Sequence, residues 1–282
     1  MNESKIKSHA KINLSLYVLG RLKSKLHKIE SLITFIELHD EITIKKSKRK
    51  FHTIKFYGKF SKGIPKNNTI SNLLKFLDSK KLLKEKKYSL FIKKNIPQKS
   101  GMGGGSMNAS FLLKFLIINQ KLNLSSKEIF KISSKIGSDV VIGMQKKTSI
   151  LYGNGKLKNL NNKINLYTLL ARPNFGCSTK TIYNNVKSFS KPIFKINKRT
   201  SINYKFLSNL RNDLEEPAFK KYPVLKKLKV FMEKLDKILF VNMTGSGSTI
   251  VGYFTTKKTA LNAIKILNKK YKNYWCILSK TI

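Results

Sequence analysis

Two cysteines, Cys177 and Cys276, are all that 282 residues contain. They lie far apart, with no second cysteine or histidine at metal-binding spacing. A disulfide framework and a zinc site are therefore not expected, and the pair reads as two reduced thiols in a cytoplasmic protein. Long apolar runs are missing as well. FLLKFLII, residues 111–118, carries Lys114 in its middle and falls short of the roughly 18 residues that a membrane helix needs, so no membrane partner is expected. INLSLYVLG, residues 12–20, is interrupted by Asn13 and Ser15, and no small-residue cleavage site follows, so a signal peptide is not expected either. Arginine is scarce: it supplies five of the 58 basic residues, which leaves 53 lysines. A formal charge of +44 ordinarily points to nucleic acid. Arginine, however, is the residue that reads phosphates and bases bidentately. The lysines are spread along the chain, and no RNA- or DNA-binding motif accompanies them. Abundant Lys, Asn and Ile match a genome biased toward A and T, and a nucleic-acid partner is not expected. Aspartate is rare too, with five in the chain at 40, 78, 139, 213 and 236, which narrows the choice of any catalytic base.

What is present is globular: 41% of the residues are hydrophobic, and the length allows a large core or two lobes. Residues 8–19 alternate, with Ala10, Ile12, Leu14, Leu16 and Val18 on one face of a strand and Lys11, Asn13 and Ser15 on the other. More strand pattern fills 29–44. KNNT is a cap signal for a helix within 66–84, and YSLFIKKNI, residues 88–96, is another strand. From Met107 the apolar spacing is helical, and Ser125 with Glu128 forms a capping box for a helix ending at Gly137. Beyond about residue 160 the pattern restarts with a strand at NLYTLLARP, a lysine-rich segment to about 205 and a helix around 220–235. Two strands then flank TGSGS, and a last helix and a last strand follow. Mixed strands and helices without strict alternation predict an α+β fold with two lobes, 1–160 and 161–282.

Between strand and helix lies SGMGGGSMNAS. Glycines at 101, 103, 104 and 105 allow positive φ and close approach of backbone to a ligand. The helix that follows points unpaired N–H groups and its positive dipole end back at the loop, which makes a phosphate cradle. Neither the Walker pattern nor G-x-G-x-x-G fits.

IPQKSGMGGGSMNAS resembles the P-x-x-x-G-L-G-S-S-A-A motif of the GHMP small-molecule kinases, and its longer form is most like that of a member acting on a cytidylated sugar alcohol. AKINLSLYVLGR, IGSDVVIGM, NDLEEPAF and MTGSGSTIVGYF resemble further family segments in order and spacing, so the resemblance runs from residue 8 to about 254. It implies the two-lobed GHMP kinase fold, with a ribosomal-protein-like N-terminal lobe that binds ATP and a ferredoxin-like C-terminal lobe. It also implies ATP-dependent phosphorylation, with Mg2+, of the 2-hydroxyl of a cytidine-diphosphate methylerythritol in isoprenoid precursor synthesis, by a monomer or homodimer. The alternatives are another GHMP kinase, of homoserine or mevalonate type, and, from a different class, an RNA-binding protein.

The same resemblance distributes roles. Asp139 is the expected base, with Lys11 beside it and Asn13 on the substrate. Asn68 and Thr69 lie where the family holds adenine. Pro97, Gly101, Met102, Gly103, Gly104, Gly105, Ser106 and Met107 form the ATP loop. His27 and Tyr183 take the cytosine, and Thr244, Gly245 and Gly247 close on the substrate's phosphates. There are departures. Met107 and Ser110 replace a serine and an alanine, which leaves Ser106 for magnesium. Val141 replaces a proline, and LKSKLHKI keeps only His27 of an aromatic-containing loop, with Leu26 where relatives carry the aromatic.

Overall fold

The computed structural model describes residues 3–22, 26–161, 164–194 and 202–282. Lys23, Ser24 and Lys25 of the altered loop, and residues 195–201 of the lysine-rich segment, lie outside the described residues. The chain opens with β1 (Glu3–Asn13), β2 (Tyr17–Arg21), β3 (His27–Ser47) and β4 (Thr53–Tyr57), then α1 (Thr69–Ser79), β5 (Lys87–Lys93), α2 (Gly104–Asn119), α3 (Ser126–Ile136) and α4 (Ser138–Gln145). Short strands β6 (Ser149–Leu151) and β7 (Leu157–Asn159) lead to β8 (Tyr167–Arg172). The helices α5 (Thr179–Asn184), α6 (Tyr204–Ser208), α7 (Glu215–Lys221) and α8 (Pro223–Glu233) follow, and β9 (Phe240–Met243), β10 (Ile250–Phe254), α9 (Lys257–Lys270) and β11 (Trp275–Lys280) complete it.

These elements form two compact units. The first holds Met1–Ala10, Leu38–Gln98 and Gly103–Lys146, and the second holds Lys11–Glu37, Lys99–Met102 and Lys147–Ile282. Both β1 and β3 therefore contribute residues to each unit, and the glycine loop changes unit between Met102 and Gly103.

In the first unit, β5 pairs antiparallel with residues 41–47 of β3 and parallel with β4. The apolar sides of α1 and α2 meet this sheet in a core that includes Ile42, Ile44, Leu73, Leu77, Leu90 and Leu112. Asn68 caps α1, accepting from the amides of Ile70 and Ser71 at 3.1 Å each. The predicted box at Ser125 and Glu128 forms in both directions, with amide-to-side-chain distances of 2.8 and 3.3 Å. Gly137 ends α3 as the spacing predicts and then serves as N-cap of α4, a helix that the pattern does not reveal.

In the second unit, β8, β9, β10 and β11 form an antiparallel sheet in the order β11-β8-β10-β9. With helices between β8 and β9 and between β10 and β11, this is the ferredoxin-like arrangement. Leu169, Leu225, Leu228, Met243, Ile250 and Leu267 belong to its core. The first part of β3 pairs with β2, through an irregularity between Val18 and Gly20, and with β6. Two predicted elements are each divided. The strand over 8–19 breaks after Asn13, and Leu16 bridges to Asn212 instead. The helix near 220–235 becomes α7 and α8, because Pro223 stands at the start of α8, where its missing N–H is harmless.

Both cysteines are free. Burial pushes each thiol up to about 11, so neither is a nucleophile at neutral pH. Among the described residues no helix is long and apolar enough to cross a membrane.

One polar cluster organises the first unit. Asp40 is 0% exposed and faces Lys94, also buried, with which it forms an ion pair. Its carboxylate also accepts the amides of Asn95 and Ile96 at 2.8 Å each and the side-chain amide of Asn108 at 2.9 Å. Two opposite charges satisfied this fully are tolerated in a core, but removing one partner leaves the other uncompensated. Asp40→Asn is expected to lower stability by about 3–5 kcal/mol, read as a shift of the denaturant midpoint. A change under about 1 kcal/mol would show that the pair contributes little.

Candidate active site

The glycine loop follows β5 after a short bend at residues 94–99. Gly103, with φ 67°, is the N-cap of α2 and offers no side chain to the helix end. The amides of Gly104, Gly105 and Ser106 are thus first-turn donors without intrahelical partners, and no acidic residue lies among them. Only Gly101 and Gly103 of the expected four take positive φ; Gly104 and Gly105 are helical. Their small size serves packing and approach. A Cβ on Gly104 would meet the Ile96 side chain at 3.0 Å and the Lys94 amine at 3.4 Å, while Thr69 Oγ1 lies 3.4 Å from one on Gly105. Thr69 donates to the Gly105 carbonyl at 2.7 Å, which ties the start of α1 to the loop.

Several expected ligands of ATP have other occupations. The Asn68 amide is engaged on both ends, capping α1 through Oδ1 and donating to the Pro65 and Lys66 carbonyls at 2.9 and 3.3 Å. Met107 is fully buried, and its N–H donates to the Gly103 carbonyl at 2.8 Å. Its side chain and its N–H are thus engaged within the fold. Its thioether instead lies against Gly143, where a Cβ would meet it at 3.1 Å and would meet Ser110 Oγ at 2.6 Å. The two departures from the family motif thus fill the α2–α4 contact. Pro97 is buried at the loop's entry.

Asp139 lies in the first turn of α4, whose N-cap is Gly137. It is therefore not the helix cap. A Cβ on Gly137 would stand 3.9 Å from the Ser106 hydroxyl oxygen, so the first turns of α2 and α4 adjoin within the first unit. Two oxygen donors, Ser106 and Asp139, belong to these turns. Among the described residues no group of three or more His, Cys, Asp or Glu is placed to hold a metal ion.

Lys11 and Asn13 belong to the second unit. The polar face of β1 is not solvated: Lys11 is 5% exposed and Asn13 2%. The Lys11 amine donates to Asn13 Oδ1 at 2.7 Å, and the Asn13 amide N–H donates to Thr244 Oγ1 at 3.0 Å. Met102 is also fully buried, so it offers the site only backbone, and its carbonyl accepts the Lys11 N–H at 3.2 Å. Gly101 lies back to back with the TGSGS turn. A Cβ there would fall 1.9 Å from the Thr244 carbonyl oxygen, at a φ of +77° that disfavours any side chain. The structure thus brings Lys11, Asn13, Gly101, Met102, Thr244 and Gly245 together.

His27 and Tyr183 meet as well, with ring centroids 4.9 Å apart. That is a direct aromatic contact, so a base cannot lie between the two rings as they stand. The Nε2 atom of His27 is buried with no hydrogen-bond partner among the described residues, a condition that a polar ligand relieves. Burial, and then the charge of Arg21, push the imidazole below its ordinary value of 6.5. Leu26 beside it is 65% exposed.

NDLEEPAF, quoted above only as a resemblance, has a physical task. Asn212 donates from its side chain to the carbonyls of Met243 and Gly245 at 2.7 and 2.8 Å. Asp213 accepts the Val18 amide at 2.8 Å. Glu215 accepts the Met243 amide at 2.7 Å and pairs with Lys229 at 2.6 Å. The segment pins the TGSGS turn and β2 from behind.

Comparison with known proteins gives a consistent result. The family model for the GHMP kinases N terminal domain matches residues 68–153, and that for the GHMP kinases C terminal matches 202–273. A 4-diphosphocytidyl-2-C-methyl-D-erythritol kinase of Pelagibacter ubique is 54% identical over 282 residues, covering 100% of both chains. One from Clostridium perfringens is 33% identical, covering 99% of this chain and 98% of its own. A crystal structure of a 4-(cytidine 5'-diphospho)-2C-methyl-D-erythritol kinase superposes with a TM-score of 0.79 at 22% identity, over 99% of this chain and 100% of the other, which bears on the fold.

A neutral His27 can both donate to and accept from a nucleobase edge. If His27 takes a nucleobase edge, as the resemblance implies, cytidine affinity measured by calorimetry is expected to weaken as pH falls and the imidazole charges, with a midpoint below its ordinary 6.5. Affinity that rises as pH falls through 6.5 would contradict a neutral histidine in the site.

Proposed function

The chain belongs to the GHMP kinases, and from that premise we propose that it is a 4-diphosphocytidyl-2-C-methyl-D-erythritol kinase. It transfers the γ-phosphate of ATP to the 2-hydroxyl of 4-(cytidine 5'-diphospho)-2-C-methyl-D-erythritol, a step of non-mevalonate isoprenoid precursor synthesis. The observation that carries this reading is 54% identity along the whole length of both chains with a relative of that name. The His27–Tyr183 pair supports it, because a kinase for bare mevalonate or homoserine has no base to hold. By sequence, 1–160 is the ATP-binding lobe and 161–282 the C-terminal lobe; the reaction is cytoplasmic, without nucleic acid, in a monomer or homodimer.

Phosphoryl transfer needs positioning, neutralised charge and a base for the alcohol's proton. The first-turn amides of α2 hold phosphate oxygens against the positive helix end. Asp139 accepts the proton of the attacking hydroxyl, and the Lys11 ammonium stabilises the oxygen as it gains charge. Asn13 keeps that ammonium directed, and Thr244, Gly245 and Gly247 form the turn that receives the substrate's diphosphate. Magnesium, if bound with the nucleotide, would find an oxygen donor in Ser106 and would supply further charge neutralisation.

Asp139→Asn is expected to keep binding of ATP and cytidine while kcat falls about 10²–10⁴-fold, the usual worth of a positioned base. Turnover within a few-fold of the parent protein would remove Asp139 from the mechanism.

A further inference from the structure

Behind Lys11 and Asn13 stands a hydroxyl that no role above uses. Ser31 lies in β3, is 0% exposed, and its oxygen accepts the Asn13 Nδ2–H at 2.8 Å. Its own proton is committed in the other direction, to the carbonyl of Ser15. That carbonyl is held in place: Ser15 donates its N–H to the Leu32 carbonyl at 3.3 Å and accepts the Leu32 amide on its hydroxyl at 3.1 Å. Because the Ser31 proton is taken, the oxygen presents only lone pairs to Asn13.

An asparagine side chain has a donor end and an acceptor end of nearly equal shape, and the surrounding hydrogen bonds decide which way it faces. A lone-pair-only neighbour selects the Nδ2 end. The Oδ1 end is then turned to Lys11, whose amine donates to it at 2.7 Å. Were the amide reversed, an NH2 group would face an ammonium inside a buried site, and the two would repel. We propose that Ser31 is a positioning residue for the phosphoryl-transfer step: by committing its proton to the Ser15 carbonyl it sets the orientation of the Asn13 amide, and through it the place of the Lys11 ammonium. This rests on the reading of Lys11 and Asn13 given under the proposed function. Ser31 itself touches no substrate, and the α2 amides that hold phosphate are no part of the relay.

The test is a set of variants assayed for kcat and for the KM of ATP, each checked for folding by its thermal midpoint. Ser31→Val and Ser31→Thr have the same shape and differ in the hydroxyl. Ser31→Val is expected to lose about 10- to 100-fold in kcat, the range that misplacing a catalytic group by about 1 Å entails, with the KM of ATP within about twofold. Ser31→Thr, which keeps the hydroxyl, is expected to stay at least about tenfold above Ser31→Val. Equal kcat in the two overturns the proposal. In an Asn13→Ala background, Ser31→Val is expected to cause no further loss, since it acts through that amide; a full additive loss there marks a general packing role and overturns it as well. If Asn13→Ala alone leaves kcat unchanged, it is the reading of Asn13 in the active site that fails. That outcome is distinct from a Ser31 defect that survives without Asn13.

Discussion

A carboxylate with no exposed surface holds the glycine loop of this protein at its root. Asp40 takes the Lys94 ammonium, two consecutive backbone amides and the Asn108 side chain. Those partners come from the end of β5, from the bend that leads into the glycine loop and from the second turn of α2. A phosphate cradle needs its amides fixed in advance, because donors that must be reoriented on binding lose part of what they contribute. Glycine alone supplies freedom, not fixity. In the first unit that fixity comes from Asp40, from Thr69 on the Gly105 carbonyl, and from the close packing of Met107 and Ser110 on Gly143.

The second unit solves the same problem with amides and hydroxyls. Its polar strand face is buried, so every side chain on it needs a partner. Lys11 has Asn13, Asn13 has Ser31, and the Thr244 hydroxyl accepts the Asn13 amide and donates to the Gly101 carbonyl at 3.2 Å. Asn212 holds the TGSGS turn from the far side. Rigidity here is a property of a network, to which the acidic segment NDLEEPAF contributes without placing a side chain in the proposed chemistry.

Much of this was legible from pattern. Period two marked β1 and its polar face, the capping box at Ser125 and Glu128 formed as read, and the order strand, glycine loop, helix is the one the structure has. What pattern missed has physical reasons. Leu38, Asp40, Ile42 and Ile44 share one parity in β3, and Tyr88, Leu90, Ile92 and Lys94 share one along β5 and past its end. With Glu41 opposite Lys93, the next pair in register is Asp40 and Lys94. Two opposite charges at apolar parity were the available signal, but it appears only once the strands are paired. The start of α2 at Gly104 rather than Met107 was hidden because glycine disfavours helix intrinsically, and tertiary contact with Ile96 overrides that preference. The strand β4 escaped because it is only five residues long, so the alternation of half-buried Ile54 and Phe56 with exposed Lys55 and Tyr57 is too brief to stand out. Asn68 and Met107, which the resemblance places at the nucleotide, also have structural tasks that the pattern did not show, capping α1 and packing on Gly143.

The central claim is chemical: a cytidylated sugar alcohol, and not a bare one, is phosphorylated by ATP on this scaffold. The most direct measurement is turnover of the full chain with ATP and magnesium on 4-(cytidine 5'-diphospho)-2-C-methyl-D-erythritol, followed by phosphorus NMR, with mevalonate and homoserine assayed in parallel. The account predicts a new phosphomonoester on the 2-oxygen of the cytidylated substrate and no product from the other two. Product from mevalonate or homoserine, with the cytidylated compound untouched, would contradict it.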